Sequence, residues 1–154
     1  MPHLAIQHSA NLPISRMQAL CEELHGVLVQ AGLYPLAGIR VRAVSCPVSI
    51  VADKHPSNAF ADMILRIGTG RSVGDRKMTG DRLMACAEQF FAKELAQPHF
   101  ALSLELMEIH PEFNWKANSI HLRLKGNACA ISPQTSPRQV NSSPDSSLAR
   151  SRSN

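Results

Sequence analysis

Met1 and Pro2, the first two residues of the chain, are the first that could carry chemistry. An aminopeptidase that removes Met1 leaves a terminal secondary amine on Pro2, because a small second residue permits this trimming. A terminal α-amine has a reference pKa of about 7.7–8.0, close enough to neutral pH for the group to accept and return a proton. Burial and nearby cations lower that pKa, since both disfavour the protonated amine. The dipeptide therefore predicts a general base at Pro2, provided that the chain buries the amine.

Three arginines could oppose such a base. Arg40 and Arg42 alternate with apolar residues in a predicted strand, so their side chains share one face of it. This pair indicates either a solvated surface or an anion site. Arg71 stands in a glycine-rich turn before a predicted helix, where it is either a solvated turn residue or a second anion ligand. A guanidinium group offers a planar fork of donors that can hold an anion such as a carboxylate.

The periodicity of apolar residues predicts the elements that must position these groups. Alternation and short apolar runs predict strands at 2–8, 37–46, 59–67 and 100–109, and a short last strand at 119–124. Apolar spacings of three and four predict helices at 13–31 and 72–97. Ser72 and Asp75 match a capping box at the second helix start, and Pro98 ends that helix.

This order predicts an α+β fold with two tandem β-α-β units. Each helix is long enough to connect parallel strands by a right-handed crossover. The two units side by side form a four-stranded sheet with both helices on one face, plus the short extra strand. The other face of the sheet carries apolar residues as well, so we expect another subunit to cover it.

Composition divides the chain into a domain and a tail. Residues 1–125 have the size of one domain and form the predicted folded unit. Residues 126–154 hold eight serines and three prolines but no aromatic residue, which predicts a disordered C-terminal tail. The net charge is +4, but residues 1–125 hold 13 basic and 11 acidic residues without a basic stripe. We therefore expect no nucleic-acid partner.

The remaining features predict a cytoplasmic protein without a metal or other cofactor. No apolar run approaches the roughly 20 residues that span a bilayer, and the N-terminus lacks a basic region followed by an apolar stretch, so we expect no secretory signal. The four cysteines are scattered, so free thiols in a reducing compartment are expected. The seven histidines show no metal-binding spacing. Among them, His110 and His121 are interpreted as structural residues.

Several segments in this order resemble one family. They are Pro2 with His3, PLAGIR at 35–40, IGTGRS at 67–72, HPEFNWK at 110–116, and His121. Together they are similar to the 5-carboxymethyl-2-hydroxymuconate isomerases of the tautomerase superfamily, over about residues 2–125. The tail beyond about residue 126 has no counterpart in the family. Trp115 stands where the family more often has phenylalanine, which keeps an aromatic wall but could reshape the site.

The resemblance implies a keto-enol tautomerase in bacterial homoprotocatechuate degradation. It implies a homotrimer whose sheets form the central core, and a catalytic N-terminal proline that shuttles a proton on a conjugated enol carrying several carboxylates. Pro2 is then the base, Arg40 and Arg71 hold substrate carboxylates, and Trp115 lines the site. Two alternatives remain open: a related tautomerase acting on another keto-enol acid, and a non-catalytic oligomeric binding module.

Overall fold

The computed structural model describes residues 1–129, and its elements follow largely the predicted order. The strands are β1 (His3–Ser9), β2 (Arg40–Cys46), β3 (Ala59–Gly68) and β4 (Phe100–Ile109). The helices are α1 (Ile14–Gln30), α2 (Val73–Phe90), α3 (Ala92–Leu95) and α4 (Ser119–Cys129). A 3₁₀ turn at Leu36–Gly38 precedes β2, so β2 begins three residues later than predicted.

The four strands form one sheet in the order β2-β1-β3-β4. β1 pairs with β2 and β3 pairs with β4 in parallel, whereas the central pair β1 and β3 is antiparallel. Each parallel pair with its connecting helix is one β-α-β unit. The predicted α+β fold with two tandem units is thereby confirmed.

The core lies between the sheet and a layer formed by α1 and α2, which pack against each other. Alternate residues of the central strands, such as Leu4, Ile6, Met63 and Leu65, are fully buried beneath these helices. Burying a side chain of this size stabilises the fold by about 1.5–3 kcal/mol relative to leaving it exposed. The residues between them point to the opposite face, which no described element covers. We call this face, which carries His3, Arg40, Arg42, Ile64, Arg66 and Glu105, the open face.

The predicted strand at 119–124 is wrong, because this segment begins helix α4. The side-chain carbonyl of Asn118 accepts a hydrogen bond from the amide of Ile120 at 3.0 Å, which satisfies a donor that a helix start leaves free. Ile120, Leu122 and Leu124 alternate in sequence, but Leu122 is 74% exposed in the structure. The alternation therefore does not reflect one buried strand face.

The second long helix is also shorter than predicted. α2 ends at Phe90, and Phe91 with φ −96° and ψ 17° separates it from the short helix α3. Phe91 is fully buried and packs its ring against those of Phe90 and Phe100. The residue that separates α2 from α3 is thus the one whose ring is buried in the core. At the other end of α2, Ser72 Oγ accepts from the amide of Asp75 at 3.0 Å, as the capping box predicts.

The C-terminal boundary differs from the prediction. Residues 126–129, assigned above to the disordered tail, are the last turn of α4. The rest of the predicted tail, residues 130–154, lies outside the described residues. Within the described part of the chain, no helix is long and apolar enough to cross a membrane.

Candidate active site

The predicted base lies where β1 begins. Pro2 is buried, and its carbonyl accepts a hydrogen bond from the backbone amide of Arg40 at 3.1 Å. The parallel register then places His3 beside Arg40. Strand pairing therefore brings Arg40 to the N-terminus although the two are far apart in the sequence.

The side chain of Arg40 lies exposed on the open face, with Nη1 3.4 Å from Nε2 of His3. Burial lowers the pKa of His3 most, and among the cations that lower it further Arg40 has the largest effect. The imidazole is therefore neutral at neutral pH and can accept from the guanidinium. Arg42 shares the exposed side of β2, as predicted, but its register partner is Ala5, further from the N-terminus. Of the two arginines, Arg40 therefore lies closer to the N-terminus in the register of the sheet.

Arg71 approaches the N-terminus from the other neighbouring strand. Because β1 and β3 are antiparallel, the end of β3 lies beside the beginning of β1, with Arg66 opposite His3. The chain leaves β3 at Gly68 and turns through Gly70, whose φ of 95° glycine adopts readily and other residues rarely do. Arg71 follows this turn directly.

The guanidinium of Arg71 is held by its surroundings rather than extended into solvent. Nη1 donates to the carbonyl of Gly68 and Nη2 to the carbonyl of Leu33, each at 3.0 Å. Its central carbon lies 4.5 Å from the ring centroid of Tyr34. The third nitrogen, Nε, is buried and has no hydrogen-bond partner within residues 1–129. A buried donor without a partner costs about 1–3 kcal/mol, so the guanidinium is held in place at some cost in stability.

The segment after β4 returns to the N-terminus, where α4 packs against the 3₁₀ turn. The side-chain amide of Asn118 donates to the carbonyl of Ala37 at 2.8 Å and lies 3.5 Å from the sulfur of Met1. Met1 in turn lies against Gly38, where an added Cβ would come within 3.0 Å of the Met1 Cγ. A glycine at 38 thus allows Met1 to approach the backbone closely.

The structure retains Met1, so its terminal amine is that of Met1, one residue before Pro2. Burial lowers its pKa most, and the charges of Lys116, Arg71 and Arg40 lower it further, in that order. Arg40 and Arg71 were predicted at this site, whereas Lys116 was not assigned any role. The sequence signal for Lys116 was its position in the segment 110–116, but nothing local shows that this segment folds back over the N-terminus.

Trp115, the predicted aromatic wall, has 86% of its surface exposed, and Phe113 has 69% exposed. The described residues of this chain therefore do not enclose the indole. Trp115 is nevertheless adjacent in sequence to Lys116, whose charge lowers the pKa of the terminal amine. A role for Trp115 in lining the site stays a prediction.

A groove of about 540 Å³ lies elsewhere, between α2 and the edge strand β4. Its lining includes Val73, Met84, Leu104 and Leu106, and neither Pro2 nor the three cations take part. This groove has volume and apolar walls, but it lacks the base. We therefore place the candidate active site at the N-terminus, where a titratable amine and three cations converge.

The chemistry available at the N-terminus is proton transfer on an anion. A lowered pKa increases the unprotonated fraction of the amine at neutral pH, and cations nearby attract carboxylates and stabilise negative charge that develops during a reaction. Within residues 1–129 no group of three His, Cys, Asp or Glu side chains could hold a metal ion.

Comparison with known proteins gives consistent matches over the described domain. Residues 2–124 match the family model of 5-carboxymethyl-2-hydroxymuconate isomerase. A 5-carboxymethyl-2-hydroxymuconate Delta-isomerase of Escherichia coli is 33% identical over 126 residues, which cover 81% of this chain and 100% of that protein. The crystal structure of a 5-carboxymethyl-2-hydroxymuconate isomerase from Deinococcus radiodurans R1 is 41% identical, with a TM-score of 0.75 over 80% of this chain and 93% of that one. A fused 4-OT solved as a symmetric trimer has the same fold, with 19% identity and a TM-score of 0.56 over 75% of this chain and 93% of that one.

Proposed function

Because the chain belongs to the 5-carboxymethyl-2-hydroxymuconate isomerase family, we propose that it converts 5-carboxymethyl-2-hydroxymuconate to its 2-oxo-3-ene isomer in homoprotocatechuate degradation. In this proposal the active chain has lost Met1, and the amine of Pro2 carries the proton. The observation that carries the proposal is the position of the buried Pro2, whose carbonyl accepts from the amide of Arg40, close to the Met1 terminus whose pKa is lowered by Lys116, Arg71 and Arg40. The protein acts in the cytoplasm in this proposal.

The proton balance of the reaction needs a single base. The free amine of Pro2 takes the proton of the substrate 2-hydroxyl, which leaves an ammonium group and a conjugated dienolate. The ammonium group then returns that proton to a carbon of the conjugated system, and the 2-oxygen becomes a ketone. The amine is regenerated, so no other reactant is consumed. A base with a pKa near neutrality serves both steps, because it is neither too weak to accept the proton nor too strong to return it.

The cations have two tasks in this scheme. They bind the substrate carboxylates before the reaction begins, and they stabilise the negative charge that spreads over the dienolate. Arg71 is supported in this role by its charge, which lowers the pKa of the terminal amine. The same role of Arg40 is supported by its pairing with His3, the residue after Pro2. Lys116 supplies a third positive charge, which suits a substrate with more than one carboxylate.

A homotrimer completes the proposal. The open face carries apolar side chains such as Ile64 and Met107, and charges of both signs such as Arg42 and Glu105. A second copy of the chain would bury these apolar side chains and pair the opposite charges. A relative of the same fold is a symmetric trimer. Ile64→Glu should therefore dissociate the oligomer in light scattering, whereas Gln18→Glu on the outer surface of α1 should leave its mass unchanged. An active monomer of the unaltered chain would contradict the shared sheet core.

The function is tested by following the absorbance of the conjugated substrate with the purified chain. We expect rapid isomerisation of 5-carboxymethyl-2-hydroxymuconate, with a kcat that Pro2→Ala lowers. A panel of other dienol acids identifies the physiological class. A much higher kcat/KM for another keto-enol acid would make the protein a related tautomerase and overturn the proposed substrate.

A further inference from the structure

The side-chain amide of Asn118 is fixed in orientation by two backbone groups. Its Oδ1 accepts from the amide of Ile120 at 3.0 Å, and its Nδ2 donates to the carbonyl of Ala37 at 2.8 Å. Exchange of nitrogen and oxygen would break both bonds, so the partners determine which atom is which. Asn118 thus joins the start of α4 to the 3₁₀ turn beside the N-terminus.

The second hydrogen of this Nδ2 has only a weak acceptor. The atom that it meets is the sulfur of Met1 at 3.5 Å, and a thioether is a weak acceptor. The Met1 side chain fills the space between Asn118 and Gly38, where its Cγ would lie 3.0 Å from an added Cβ. Removal of Met1 therefore frees this space and leaves the second donor of Asn118 directed into it, next to the new terminus at Pro2.

We propose that Asn118 is a substrate-binding residue whose second Nδ2 hydrogen bonds an anionic oxygen of the substrate in the space that Met1 occupies. The inference rests on the proposed function, since it requires the trimmed chain and a substrate beside Pro2. A carboxylate or enolate oxygen is a far better acceptor than a thioether, and bonds to charged acceptors are the stronger ones. Because Ala37 and Ile120 already hold the amide in place, binding needs no reorganisation of the side chain.

Met1 then has a second effect besides blocking the amine. In the untrimmed chain its side chain competes with substrate for the position beside Asn118 and Gly38. Trimming accordingly creates both the base and part of the binding site in one cleavage.

The test compares Asn118→Ala and Asn118→Asp in the trimmed chain, with Asn114→Ala as the control amide of the same segment. Asn118→Asp keeps the acceptor for the Ile120 amide, so it retains the cap on α4 if the alanine variant folds poorly. We expect both Asn118 variants to lower kcat/KM by about 10- to 150-fold, which corresponds to one hydrogen bond to a charged group. The control should stay near the parent value.

A binding measurement separates this role from a structural one. The affinity for an unreactive unsaturated dicarboxylate is measured by calorimetry for the trimmed chain and for chain that retains Met1, prepared with the aminopeptidase inhibited. Asn118→Ala should weaken binding about 10-fold or more in the trimmed chain and hardly change it when Met1 is present. Equal losses in both forms, or unchanged binding in the trimmed form, would overturn the inference. The proposed function is judged separately, by whether the trimmed parent isomerises the substrate and Pro2→Ala lowers its kcat.

Discussion

The guanidinium of Arg71 lies over the ring of Tyr34, with 4.5 Å between its central carbon and the ring centroid. Tyr34 is 6% exposed, and its hydroxyl donates to Oγ1 of Thr79 at 3.1 Å. Thr79 in turn donates to the carbonyl of Asp75 at 2.8 Å in the first turns of α2. These contacts connect Arg71, in the turn after β3, to the loop before β2 and to α2. Arg71 is one of the two arginines predicted to bind a substrate carboxylate.

Tyr34→Leu should lower kcat/KM by about 2- to 30-fold, because it removes the aromatic face that holds Arg71, and cation–π contacts contribute about 0.5–2 kcal/mol. Tyr34→Phe is the matched control, since it keeps the ring and loses only the hydrogen bond to Thr79. Steady-state kinetics in the Arg71→Ala background completes the cycle. If Tyr34→Leu costs as much there as in the parent, Tyr34 does not act through Arg71.

Arg40→Ala and Arg71→Ala should each lower kcat/KM by about 10- to 150-fold, since each removes a charged partner of a substrate carboxylate. Part of the loss should appear in KM, because the carboxylate is present before the reaction begins. Arg42→Ala is the strictest control, since Arg42 shares the open face with Arg40 but lies beside Ala5. A damaging Arg42→Ala together with a neutral Arg40→Ala would show that the wrong arginine of β2 has been chosen.

The active chain should lack Met1, and Pro2→Ala should lower mainly kcat. Alanine also permits trimming, so this variant keeps a terminal amine but makes it primary and less constrained. Intact-mass measurement reports the terminus of each preparation, and kinetics reports kcat and KM. Full activity in protein that quantitatively retains Met1 would rule out the free-amine mechanism.

Lys116→Met should move the acid limb of the kcat/KM profile to higher pH. The positive charge of Lys116 lowers the pKa of the terminal amine, so its removal raises that pKa. The amine acts in its unprotonated form, and activity is therefore lost as pH falls through its pKa. Lys93→Met, a change on the exposed surface of α3, should leave the acid limb where it is. An unshifted limb in Lys116→Met would mean that this lysine does not influence the base.

Truncation after Cys129 should leave folding and turnover nearly unchanged. Residues 130–154 have a serine-rich composition without aromatic residues, which provides little apolar surface for a core. Truncation after Asn114 is the contrasting variant, because it also removes Lys116, Asn118 and α4. Thermal melting and kcat are compared for both. If truncation after Cys129 already abolishes the oligomer or the activity, residues 130–154 have a structural role.

The sequence by itself determined those strands and helices in which the spacing of apolar residues matches a single buried face. The strands β1, β3 and β4, the helix α1, and the cap formed by Ser72 and Asp75 were all predictable, because each depends on neighbouring residues. The same holds for the family, which short segments along the chain identify. Alternation at 119–124 misled the prediction because its apolar residues are largely exposed, and an alternating pattern indicates a strand only where one side is buried.

Only the tertiary structure decided how the candidate site is assembled. The antiparallel pairing of β1 with β3 brings Arg71 to the N-terminus, and the return of the chain after β4 brings Lys116 and Asn118 there. Contacts of this kind join residues that are far apart in sequence, so no local pattern encodes them. The stacking of Arg71 on Tyr34 and the packing of Met1 against Gly38 likewise depend on how whole elements pack, because they follow from the shape of the space that those elements leave.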